Sequence, residues 1–234
     1  MPSPVSSNEA SSNALHIRWR FRPMKIYHSP GACSMACHIA LEEAQADYER
    51  VPVRLAEREN RRPDYLAIHP RGFVPVLELD NGQRLTEAAA ILLHIARRYP
   101  SAALLPEAGS AEEARAFEWL AWLTNTVHVA YACLWRPERF AEDETVRKGL
   151  AAHAKDNIAA LDRDIDTRLA GRSFAAGTAY SVADPFLLVF FRWANRIGLE
   201  PARNQPTWAA WARHIEQRPA VQRVLNSEGI SIWQ

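Results

Sequence analysis

Apolar residues along this chain follow two rhythms, and the change from one to the other falls near residue 100. Lys25-Ile26-Tyr27-His28 reads as a short strand ended by the turn signal Ser29-Pro30-Gly31. Ser34 to Gln45 follows with helical spacing, Met35, Ile39 and Leu41 set among small alanines and Glu42 and Glu43 left for solvent. Tyr48 to Leu55 alternates as a second strand, and Glu57 to Arg62 is a charged loop with a short helix after it. Val74 to Leu79 is the clearest strand. Asp80-Asn81-Gly82 turns it, and because Asn and Gly both tolerate positive φ a tight hairpin is expected, with Gln83 to Thr86 returning. Glu87 to Arg98 then carries an amphipathic helical pattern.

A β-α-β unit followed by a hairpin and a helix predicts a small mixed sheet with helices packed on it. Tyr99 to Ser110, with two prolines and a glycine, reads as a linker. Beyond it no strand pattern occurs; Ala111 to Trp135, Asp143 to Leu169, Val182 to Ile197 and Thr207 to Gln217 all have helical periodicity. The expected class is therefore α+β, a sheet-bearing domain over residues 24–101 followed by an all-helical domain over 110–234. Residues 1–23 stand apart. They are rich in Ser, Asn and Pro, lack apolar periodicity, and are expected to be disordered. A start at Met24 suits that segment better than a transit peptide, which Glu9 and the want of an amphipathic pattern count against.

Composition narrows the function by exclusion. The 234 residues carry a formal net charge of +1, which gives no field for nucleic acid as the main partner. No apolar run approaches the ~20 residues needed to cross a bilayer. Three cysteines, an odd number, do not make a disulfide scaffold and point to a reducing compartment, the cytoplasm. The histidines and cysteines show no metal-ligand spacing, so no metal is expected.

Four places could carry chemistry. Cys33 lies where the first strand gives way to the first helix, and free N–H groups and the helix dipole there can lower a thiol pKa or receive a ligand thiolate. The plain alternative is a small Cys filling space. Cys37 and Cys133 read as buried. Val74-Pro75 opens a strand; a cis bond would leave the Val74 backbone free for an extended peptide ligand, but an ordinary trans Pro at an edge is the expected reading. Glu87, in the first turn of its helix, suits the dipole and could hold an amino-acid ligand with the neighbouring N–H groups. Ser181 and Asp184 form a capping box with a structural role.

In order along the chain, MKIYHSPGACSMACHIALEEA, HPRGFVPVLELDNGQRLTEAAAILLHIA, EWLAWLTNTVHVAY, FAAGTAYSVADPFL and QRPAVQRVLNSEGI resemble cytosolic glutathione transferases, most closely the bacterial beta class. The resemblance spans Met24 to about Ile230 and implies a thioredoxin-like domain followed by a helical one. It implies glutathione as co-substrate, a small electrophile as the other, and a homodimer. By the same resemblance Cys33 falls on the class's glutathione-contacting Cys and Val74 on the residue whose backbone pairs with the cysteinyl unit. Glu87 and Ala88 fall on the γ-glutamyl contacts, Arg58 on a basic contact to the glycyl carboxylate, and His128 on the helical domain's His. Asn125, Thr126 and Val127 lie on the turn before it. Cys33 and His128 are the implied catalytic pair, with conjugation as the main reaction and thiol exchange through Cys33 as an addition. Two positions depart from the class: Ala121 replaces an Asn, and Arg58 replaces a Lys. The first departure keeps open a non-catalytic binding protein of the same fold. Trp122, Tyr131, Trp135 and Phe140 are candidates for the electrophile's pocket and equally good core residues.

Overall fold

The computed structural model describes residues 22–234, so the disorder expected for 1–23 falls, all but its last two positions, outside the described residues. The N-terminal half is built from β1 (Met24–His28), α1 (Ser34–Glu43), β2 (Tyr48–Pro52), α2 (Pro63–Ile68), β3 (Val76–Glu78), β4 (Arg84–Thr86) and α3 (Ala88–Arg98). The sheet runs β2-β1-β3-β4, with β1 parallel to β2 and the other two pairings antiparallel. Ile26 lies opposite Leu77 in the ladder. These two, with Ile39, Leu41, Ile91 and Ile95 from α1 and α3, are fully buried and make the core of this half. The small mixed sheet predicted from the pattern, and the thioredoxin-like domain that the resemblance implies, are observed.

The helical half comprises α4 (Ala111–Trp122), α5 (His128–Trp135), α6 (Glu144–Leu169), α7 (Ala183–Arg196), α8 (Pro201–Asn204), α9 (Pro206–Glu216) and α10 (Pro219–Glu228). No described helix is long and apolar enough to cross a membrane. α1 is covered on every side, Ser34 through Leu41 all being buried, because α3, α7 and α10 pack around it. A helix enclosed in this way belongs to both halves at once. Glu42 and Glu43 at its end are accordingly not idle. Glu43 pairs with Arg218 at 2.6 Å, and Glu42 accepts from Arg223 at 2.6 Å and from Tyr48.

Four local expectations are corrected. The third strand starts at Val76 and not Val74, because Val74-Pro75 is cis and lies outside the ladder. The trans reading of Pro75 is thereby overturned. The hairpin turns over Asp80-Asn81-Gly82 as expected, Gly82 N–H donating to Leu79 O at 2.9 Å and Leu79 N–H to Gln83 O, but only Gly82 has positive φ, +82°. Asn81 thus keeps a negative φ, and the glycine alone absorbs the left-handed position. The helix read as continuous from Ala111 to Trp135 contains a π-helical turn at Leu123–Val127. Finally, Ser181 and Asp184 do cap α7, but by a modified pattern. The Asp184 carboxylate accepts from Ser181 N–H and Ala175 N–H, each at 2.8 Å, while Ser181 Oγ accepts from Ala183 N–H at 3.3 Å. Burial of Asp184 raises its carboxyl to about 6 against the pull of those donors.

Candidate functional site

The loop from Ser29 to Cys33 joins β1 to α1, and the helical half fixes its shape. Gly31 has φ +66°, and a Cβ there would lie 2.5 Å from the Arg192 guanidinium, so glycine is needed on both counts. Its N–H donates to Glu228 Oε2 and its C=O accepts from Trp193 Nε1, each at 2.8 Å. Glu228 also takes His38 Nδ1 at 2.8 Å and faces His28 Nδ1 at 3.5 Å. Burial works to raise the Glu228 carboxyl, but the approach of His28 and the bonds from His38 and Gly31 win and hold it at about 2. Among the described residues these three side chains are the one group close enough to share a metal ion. Glu228 is already engaged by His38 and Gly31, whereas His28 Nδ1 makes no hydrogen bond among the described residues.

Cys33 is the N-cap residue of α1 and lines the cavity beside it. Its thiol is not activated. Burial pushes it up to about 12, with the nearby Arg136 pulling the other way, so the lowered pKa expected from the helix start is not found. Desolvation of the thiolate outweighs the dipole, α7 packing along α1 and its Trp193 bonding the Gly31 carbonyl of the preceding turn. Cys37 is fully buried with Sγ 3.7 Å from Ala88 O, and Cys133 is half-buried.

Val74 and Ala88 also line the cavity, and Glu87, at the start of α3, holds φ +69°, ψ 117°. That conformation is costly for a residue with a Cβ and is found where surrounding structure enforces it, often at a ligand. The Glu87 carboxylate pairs with Arg71 at 2.7 Å, both side chains being exposed. Arg58 sits in the left-handed region between two 3₁₀ turns, φ +56°.

All of these line one cavity of about 1150 Å³ between the two halves, together with His128. Burial lowers His128 to about 4, aided by Arg136 and Arg139, and its ring packs on Trp193 at 5.7 Å. Cys33, Arg58, Val74, Glu87, Ala88 and His128 are thus brought together. Asn125, Thr126 and Val127 are not: the first two are exposed, the third is in the core, and none reaches the cavity. The helical face that does is Thr124, His128 and Ala132, at fourfold spacing through the π turn. Trp135 and Phe140 line the cavity, whereas Trp122 packs under Arg168 and Tyr131 is core. Ala121 is exposed on α4 and away from the cavity, so the departure there removes nothing from its lining. Sequence reasoning missed Arg136, Arg139, Phe73 and Trp193. Only Phe73, beside the Val-Pro step, had a local signal.

With this geometry in view, comparison with known proteins places the chain. The models "Glutathione S-transferase, N-terminal domain" and "C-terminal domain" match residues 22–97 and 124–219. Glutathione S-transferase GstA of Escherichia coli O157:H7 is 32% identical over 209 residues, covering 88% of this chain and all of that protein. The chain belongs to the glutathione S-transferase family. Within it the likeness extends to bacterial structures. A sphingomonad glutathione S-transferase complexed with glutathione is 40% identical with a TM-score of 0.77, covering 88% of this chain and 100% of that one. The beta-class enzyme of Sphingomonas chungbukensis is 36% identical at the same TM-score and coverage.

Proposed function

We propose that this protein is a glutathione transferase that joins the glutathione sulfur to an electrophilic carbon, working as a cytoplasmic homodimer without a resident metal. The observation that carries the reading is the convergence of Cys33, Val74, Glu87, Ala88 and His128 on one cavity. Glu87 accepts the γ-glutamyl ammonium, and the N–H groups opening α3 receive the neighbouring carboxylate. The Val74 peptide pairs with the cysteinyl unit, and Arg58 meets the glycyl carboxylate. The glutathione sulfur then rests at the start of α1. There Cys33, protonated at neutral pH, donates to the thiolate, and the Arg136 charge favours it. Neutral His128 supplies a further polar contact.

Retention on a glutathione column followed by turnover of an aryl halide tests this. Retention without turnover would favour the non-catalytic binding protein. Thiol exchange is the second reading, supported by the place of Cys33 on the cavity wall while Cys37 is enclosed. In it the Cys33 thiolate attacks oxidised glutathione, forming a mixed disulfide and releasing one glutathione thiolate. Mass spectrometry after treatment with oxidised glutathione should find the adduct on Cys33; an adduct on Cys37 or Cys133 overturns it. Cys33→Ala should abolish exchange and weaken conjugation without abolishing it, since the Arg136 charge still favours the glutathione thiolate.

A further inference from the structure

The cavity is far more basic than the protein. Its lining includes six arginines and two glutamates, Glu87 and Glu138, a formal excess of four positive charges in a chain whose total is +1. Glutathione in its reactive form carries two carboxylates, an ammonium and a thiolate. It therefore offsets only part of that excess.

What remains is on the helical wall. Arg71 is already tied to Glu87. Arg136 and Arg139, at and just beyond the end of α5, have no ion-pair partner among the described residues, although Glu138 stands between them in sequence. Both guanidiniums lie over the Phe73 ring, at 5.8 and 5.0 Å from its centre. They are thus held close together by an aromatic platform, and Glu138, which forms no ion pair with either, only partly offsets their mutual repulsion. The surface around them is apolar. Of the five large hydrophobic side chains exposed in the described residues, four line this cavity: Leu55, Val129, Trp135 and Phe140. Paired cations beside exposed aromatic rings suit a ligand with a flat apolar body and an acidic group.

We propose that the second substrate of this site is an anion: an electrophile bearing a carboxylate or similar acidic group on a flat apolar body, with that group held by Arg136 and Arg139. This rests on the transferase reading above. It assigns to the helical wall a preference that the glutathione contacts do not contain.

The test compares a chloronitrobenzoate, chlorine para to the carboxylate and ortho to the nitro group, with its neutral benzamide. In each the glutathione thiolate forms a bond to the chlorine-bearing carbon and chloride leaves with the electron pair. After division by the uncatalysed rates, kcat/KM for the carboxylate should exceed that for the amide about tenfold or more. That ratio should shrink in Arg139→Gln, an exposed position, and as ionic strength rises from about 0.05 to 0.5 M. Binding of the two finished S-aryl conjugates, followed by tryptophan fluorescence, gives a readout free of turnover. Equal turnover and equal conjugate binding for acid and amide would overturn the anionic preference while leaving the transferase standing. Tighter binding of the acid conjugate with no turnover of either probe would keep the preference and sink the transferase. Failure to bind glutathione or either conjugate would remove both.

Discussion

The two walls of the cavity are made of different material. The sheet-domain wall is organised around fixed backbone features, the cis Val74-Pro75 step, Glu87 at positive φ and the start of α3, with Arg58, Arg61, Arg71 and Phe73 beside them. The helical wall is side chain, namely Trp135, Arg136, Arg139 and Phe140 projecting from the end of α5 and the loop after it. A backbone wall is fixed by the path of the chain, so it suits a ligand that never changes. A wall of long side chains can be rewritten by substitution without disturbing the fold. The constant co-substrate belongs on the first wall and the variable one on the second.

The strongest test of this contrast is the point where the walls are joined. Glu228, from the last helix, holds the Gly31 N–H of the sheet-domain loop. Removing one member of a buried charged network leaves its donors unpaired, so Glu228→Ala should lower stability by about 3–5 kcal/mol. The sign with pH is definite. A carboxyl at about 2 in the fold and 4.5 in the reference state stabilises above 4.5 and loses that contribution as pH falls toward 2. Chemical denaturation of both proteins should therefore show the gap closing over that range. A gap independent of pH would mean that the charge is not what joins the walls.

The next effect is confined to the backbone wall. Glu87→Ala should weaken glutathione binding by ~1–3 kcal/mol, the loss of a charge-assisted hydrogen bond. Its ion pair with Arg71 is exposed on both sides and contributes little to stability. Calorimetry showing unchanged affinity in a folded variant would take Glu87 out of the site.

The two walls also differ in how far they can be read from sequence. Strand, turn and helix signals are local, so Val74, Glu87 and Cys33 stand out at element ends. The helical wall has no such signal, because Arg136 and Arg139 follow a helix end and acquire meaning only when Phe73 is packed beneath them. Glu228 and Trp193 meet Gly31 across 197 and 162 residues, a separation that no local pattern encodes. The Cys33 thiol fails for the same reason: the dipole is visible in the sequence, but the burial that comes with packing against α7 is not. Of the residues the resemblance implied here, His128 lines the cavity and Asn125–Val127 do not; Thr124 does instead, across a π turn that neither resemblance nor periodicity placed.

A smaller effect should leave both walls intact. Ser181→Ala removes one acceptor at 3.3 Å from the start of α7, while Asp184 keeps its two N–H donors. A loss of about 0.5–2 kcal/mol is expected, with turnover per folded molecule unchanged. Normal stability with lost turnover would show that the cap has a catalytic role.

The smallest expected effect is the absence of one. His128 sits where the walls meet, and a histidine at an active site commonly gives an acid limb to the rate near its ordinary pKa. Here burial, then Arg136 and Arg139, lower it from 6.5 to about 4. Between those values the folded protein keeps the ring neutral while the unfolded chain takes up a proton. His128 should therefore contribute no fall in kcat/KM as pH drops from 7 to about 5. Over the same range it should take stability from the fold, since proton uptake favours the unfolded state. His128→Gln separates the two consequences. The variant should keep the shape of the wild-type rate profile above pH 5 and should lose less stability on acidification than the wild type. If the wild type instead shows an ionisation near 6.5 that His128→Gln abolishes, the ring is protonated at the junction. Arg136 and Arg139, already beside Arg61, would then have a further cation next to them, and the division of labour between the walls would have to be redrawn.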